Sequence, residues 1–169
     1  MIHSHPTAIQ SVVCYNIAIA HLLNNIGDAE GAINRVNKYI ETIEDEECSN
    51  LKDIWKQTLE AESPTDLIDA TQNIGFVLIA FSYAFFYLKN DYTYEDSIRD
   101  MLLRGGDTDT NAAIVGGLLG ARWGLEAIPK EWVESLSFDN ERKEFVRYAN
   151  VAELEKDIEL LIIKAGLLN

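Results

Sequence analysis

Residues 103–124 read LRGGDTDTNAAIVGGLLGARWG, and this stretch decides what kind of fold surrounds it. Ala112, Gly116, Gly120 and Gly124 recur every four residues. On a helix that spacing leaves a smooth strip against which a neighbouring helix can pack closely. The pattern can also mark a membrane dimer face, but here the apolar run is short and Arg122 interrupts it. Asn111 to Trp123 is therefore read as a helix in a packed core, with Asp107-Thr108-Asp109-Thr110 as a polar loop ahead of it.

The flanks carry the same helical period. Upstream, Thr93-x-x-Asp96 opens a helix to about Leu103, and the apolar run Ile74–Leu88 reads as a core helix. That run falls short of the ~20 residues a bilayer needs. Ser63-Pro64, with Asp66 three residues after the serine, has the form of a helix start. Leu51, Ile54, Trp55 and Leu59 mark another helix. Asp28 caps a helix whose apolar positions are Ala29, Ala32, Ile33, Val36, Ile40 and Ile43, and Glu44–Glu47 end it as solvated loop. Pro6 and Thr7 open a segment to Asn24 that is apolar nearly all round, as a helix buried on several sides would be. Downstream, Pro129 ends the glycine region, and Val151, Leu154, Ile158, Leu161, Ile162 and Ala165 outline a last amphipathic helix. No strand alternation, repeat or linker interrupts this order. The expectation is an all-α fold, one domain over residues 1–169.

The chain is long enough to bury roughly 68–70% of its unfolded surface. Its charge is less ordinary: 14 Lys and Arg against 28 Asp and Glu, a net of −14. That field repels polyanions, so neither nucleic acid nor an anionic membrane is an expected partner. A phosphate-bearing ligand would need a local cation. Two cysteines without CxxC spacing, and an opening MIHSHPTAIQ without the form of a signal peptide, fit a cytoplasmic setting.

Asp107-Thr108-Asp109-Thr110 is where chemistry concentrates. Two carboxylates two residues apart in a non-helical loop can point the same way. Threonine hydroxyls beside them complete a set of hard oxygen donors, which suits Mg²⁺, Mn²⁺ or Ca²⁺ rather than zinc. Gly105 and Gly106 let the backbone approach a ligand, and the following helix aims its positive end at the same place. The competing reading is a helix cap. An EF-hand is excluded, because its glycine would fall at Ala112 and its bidentate glutamate at Leu118.

Taken whole, Leu103 to Ile114, the small-residue helix Gly116–Ala121, Trp123-Gly124, Ile128-Pro129 and Trp132 resemble the signature of the ADP-ribosylglycohydrolase family. Ser4-His5-Pro6 entering a helix, Gly75 before the apolar helix, and Thr93–Leu103 follow in the family's order. The resemblance covers most of the chain and is closest over 103–132. It implies an all-α bundle around two divalent ions, Mg²⁺ or Mn²⁺, with Asp107, Asp109 and Thr110 as metal ligands. His5, Gly105, Gly106 and Thr108 would line the ADP-ribose pocket. His3 and His21 are read as bystanders. Arg104, where the family more usually has a small polar residue, could reach a phosphate or only cover the surface.

The resemblance begins part-way along the family's length. A glycine-aspartate opening segment, an acidic catalytic residue and a Thr-Asp-Asp metal motif normally come first, and no Thr-Asp-Asp string occurs here. This is the carboxyl-terminal portion of the pattern, with about half the metal shell and no catalytic acid assigned. Three readings compete: a hydrolase fragment or split subunit completed by a complementary chain or a second copy; a metal-dependent module that binds ADP-ribose without turnover; and a helical interaction protein. An ADP-ribosylated protein or ADP-ribose itself is the expected partner of the first.

Overall fold

The computed structural model describes residues 4–135 together with positions 156, 158 and 160. The chain divides into two compact units, Met1–Ile128 and Pro129–Asn169. Among the described residues there is no strand, and the fold is all-α.

The first unit holds six helices: α1 (Pro6–Asn24), α2 (Ala29–Glu41), α3 (Ser49–Glu60), α4 (Val77–Lys89), α5 (Tyr94–Leu103) and α6 (Thr108–Trp123). Their starts follow local chemistry. Asp28 and Thr93 accept the Gly31 and Asp96 N–H groups, so each supplies an acceptor to an otherwise orphaned donor of the first turn. The Ser63–Asp66 capping box forms in full, yet the helix it opens is a single 3-10 turn, Pro64–Asp66, because Leu67 is already extended. The apolar helix begins at Val77 rather than Ile74: Gly75 sits at φ +88°, which breaks the helical path.

α4 is the core element, buried continuously from Leu78 to Leu88. Trp55 of α3 packs against Phe81 and Phe85, with centroids 5.9 and 5.1 Å away. On α6, Gly116 faces Tyr94 and Ile98 of α5, and Gly117 faces Tyr15 of α1, whose hydroxyl donates to the Ile114 carbonyl at 2.8 Å. The glycines therefore allow the close packing that their spacing predicts.

α1 departs from expectation. It is not enclosed: Cys14, Ala18 and Leu22 are buried, but Val12 and Leu23 are 55% and 66% exposed, and Ile26 beyond it is 88% exposed. By length and composition α1 could cross a membrane; here it packs on α2, α3, α4 and α6. Nor is His21 idle. It pairs with Asp28 at 2.7 Å and ties the end of α1 to the start of α2.

Helix direction is what positions the site. Thr7 at the start of α1 donates to the Glu47 carbonyl in the turn that leads into α3. At the opposite end, Lys89 of α4 donates to Ala61 just past α3, and Arg122 of α6 donates to the Leu88 carbonyl at 2.8 Å. So α1, α3, α4 and α6 run in one direction and bring their N-terminal ends to the same end of the unit. Arg122 is buried (8% exposed), pairs with Asp91 and stacks on Trp123, fastening the far end.

In the second unit, a short helix α7 (Lys130–Ser135) follows Pro129, whose carbonyl accepts from the Trp132 N–H at 2.9 Å. Of the expected helix over 151–165, only position 158 is described among the residues that define its apolar face; Ile158 is helical and half exposed. The others lie outside the described residues.

Candidate functional site

Gly105 and Gly106 set the geometry. Both have positive φ, +74° and +71°. A Cβ at Gly106 would overlap the Ala70 carbonyl oxygen, and one at Gly105 would lie 3.3 Å from the Thr71 side chain. The glycine pair is thus pressed onto the loop that precedes α4. Only residues without a side chain reach both the conformation and the contact.

The chain then turns directly into α6, which starts at Thr108. This corrects the expectation of a polar loop with a helix from Asn111. Thr108, Asp109 and Thr110 form the first helical turn, and Asp107 is its N-cap, with its carbonyl accepting from Asn111 at 3.0 Å. The reason is local: the acidic side chain of Asp109 in the first turn is favoured beside the positive end of the helix. The strand-like alternation invoked for the two carboxylates does not apply.

They converge all the same. Asp109's carboxyl is held below the ordinary carboxylate range, first by a side-chain hydrogen bond in which the adjacent Asp107 carboxyl carries the proton, and then by the Thr110 N–H. Asp107 makes no side-chain cap hydrogen bond, so the simple capping reading of this string does not describe it. Asp107 and Thr108 are half-buried; Asp109 and Thr110 are exposed.

The donor set can be tested against a divalent ion. It is all oxygen, two carboxylates with threonine hydroxyls adjacent, which fits a hard cation retaining several waters. Among the described residues no group of three or more His, Cys, Asp or Glu could enclose a metal. The donor chemistry of this helix start suits such an ion, but these residues do not by themselves enclose one.

His5 lies at the same end, at the start of α1. It is exposed, and its Nδ1 accepts from the Thr7 N–H at 3.2 Å, so it serves as the helix cap. Arg104 folds back on its own helix: it pairs with Asp100, Nε to Oδ2 at 3.1 Å, and Tyr87 donates to the same carboxylate at 2.6 Å. The four-residue spacing of Asp100 and Arg104 could have revealed this pair in the sequence.

Sequence reasoning missed the loop under the glycines. Asp69 Oδ1 accepts from both the Thr71 N–H and its hydroxyl, at 2.9 and 2.7 Å, and these bonds hold the Asp69 carboxyl below the usual range. Asp-x-Thr is a turn signal, but nothing in it announces contact with residues 35 positions away.

The ADP-ribosylglycohydrolase family model matches residues 1–161, and the chain belongs to that family. The ADP-ribosyl-dinitrogen reductase glycohydrolase of Rhodospirillum rubrum is 22% identical over 165 residues, covering 98% of this chain and 46% of that protein. A protein of Acanthamoeba polyphaga mimivirus named as an ADP-ribosyl glycohydrolase is 38% identical over 66 residues, 39% of this chain and 20% of its own length. The chain thus spans less than half the length of either relative. No solved structure matches it.

Proposed function

We propose that this chain supplies one half of an ADP-ribosyl hydrolase site, which cleaves the N- or O-glycosidic bond of ADP-ribose on a protein or small molecule once the other half is present. The observation that carries the reading is the convergence of Asp107 and Asp109 at the start of α6, with Thr110 in the same turn. Asp107, Asp109 and Thr110 would hold Mg²⁺ or Mn²⁺. A divalent ion there would supply positive charge to orient ribose hydroxyls and water near the anomeric carbon, where oxocarbenium character develops. His5 and the N-terminal ends of α1, α3, α4 and α6 face that same end and offer donors to the diphosphate.

Two observations favour the half-site form over a self-sufficient enzyme. Among the described residues no group of three or more His, Cys, Asp or Glu could hold a metal, so Asp107 and Asp109 do not close a shell by themselves. In addition, α1 leaves Val12 and Leu23 uncovered, an apolar face that a complementary chain or a second copy would close. The same incomplete shell keeps a second reading in play: a module that binds ADP-ribose through a metal without turnover.

The deciding experiment measures ADP-ribose release from a modified protein by the purified chain, with and without Mg²⁺, beside an Asp107→Ala/Asp109→Ala variant. Metal-dependent release that disappears in the variant supports hydrolysis at a site completed by a second copy of the chain. Metal-dependent binding of ADP-ribose without release supports the binding module. Absence of release by the folded chain alone rules out a self-sufficient enzyme, and absence of metal-dependent binding of ADP-ribose overturns both readings.

A further inference from the structure

We propose that the cavity beside the glycine pair is an acceptor subsite, which takes a lysine or arginine side chain flanking the modified residue of a protein substrate. The inference rests on the hydrolase reading above.

The cavity has a volume of about 370 Å³ and lies between the loop before α4 and the end of α5. Ala70 joins it to the candidate site: Ala70 lines the cavity, and its carbonyl is the group against which Gly106 is pressed. A peptide whose modified residue sits at the start of α6 therefore has this hollow within reach of its neighbouring positions.

Charge selects the occupant. Arg104 lines the cavity, but Asp100 cancels its charge and takes the Tyr87 hydroxyl as well. Asp69 lines it too, and among the described residues no cation pairs with Asp69. The last carbonyls of α5 point their negative end at the same place. The balance is negative, so the diphosphate of ADP-ribose is repelled and a cation is attracted. Leu67, Leu103 and the Tyr83 ring supply the apolar wall along which the methylene stem of a long basic side chain lies while its charged head meets Asp69.

The test is an NMR titration of the ¹⁵N-labelled chain with a short arginine peptide and with its citrulline twin, which keeps the shape and removes the charge. The expected result is saturable shifts at Asp69–Thr71, Tyr83 and Arg104 with the arginine peptide only. Asp69→Asn should weaken binding about 2- to 5-fold, the range of a partly exposed ion pair. Equal binding of the citrulline peptide, shifts elsewhere, or an unchanged affinity in Asp69→Asn overturns the subsite. ADP-ribose release assayed in parallel separates the two claims. Metal-dependent release without arginine preference removes the subsite and leaves the hydrolase standing. Arginine binding without metal-dependent release or ADP-ribose binding overturns the acceptor role along with the reading it rests on.

Discussion

Gly106 shows how a single residue can hold a site together. Its φ of +71° is strained for any L side chain, and a Cβ would also overlap the Ala70 carbonyl. Gly27 offers the control, since it has φ +81° but nothing within 4 Å of a Cβ. Gly27→Ala should therefore cost only the conformational term, about 1 kcal/mol, and Gly106→Ala clearly more, about 3 kcal/mol, because a backbone must also move. Urea denaturation measures both; equal losses would mean that the Ala70 contact is not a constraint. Gly106 was legible in the sequence as a close-approach glycine. What it approaches was not, because a carbonyl oxygen leaves no mark on the identity of the residue that carries it.

At the scale of the element, the glycines of α6 are not equivalent. A Cβ at Gly117 would collide with the Tyr15 hydroxyl, which is engaged with Ile114, whereas at Gly120 the nearest atom is 3.8 Å away. Gly117→Ala should then destabilise the fold by pushing Tyr15 off its carbonyl. Gly120→Ala should stabilise it by up to about 1 kcal/mol through helix propensity alone. Thermal melts of the two variants check the opposite signs. The periodicity that predicted α6 picked out Gly120 but not Gly117, and it could not rank the two. Ranking depends on which neighbour each glycine meets, and that is a property of packing. The same limit explains the helix boundaries. The Ser63–Asp66 capping box was readable as a start, but Leu67 ends the turn in an extended conformation. The first turn of α6 was read as loop because Asp and Thr are poor helix formers in general, although they are good ones at its first positions.

For the whole molecule, the order of helices and the all-α class were legible because nearly every segment carries a 3.6-residue period. The open side of α1 was not, since apolar residues on all faces look alike whether a partner covers them or not. The shared direction of α1, α3, α4 and α6 also appears only in three dimensions, and it has a consequence for binding in solution. Four helix ends present local donors at one end of a chain whose net charge is −14. The repulsion from that net charge acts over distance and is screened beyond about 8 Å at physiological ionic strength; the N–H donors act at contact and are screened far less. Added sodium chloride should therefore tighten, rather than loosen, the binding of a small phosphate-bearing ligand there. Isothermal titration with ADP-ribose at low and physiological salt reads the sign directly, and an affinity that falls with salt would show that the acidic surface is not the barrier. Ionic strength then becomes a means of separating the field of the molecule from the chemistry of its site.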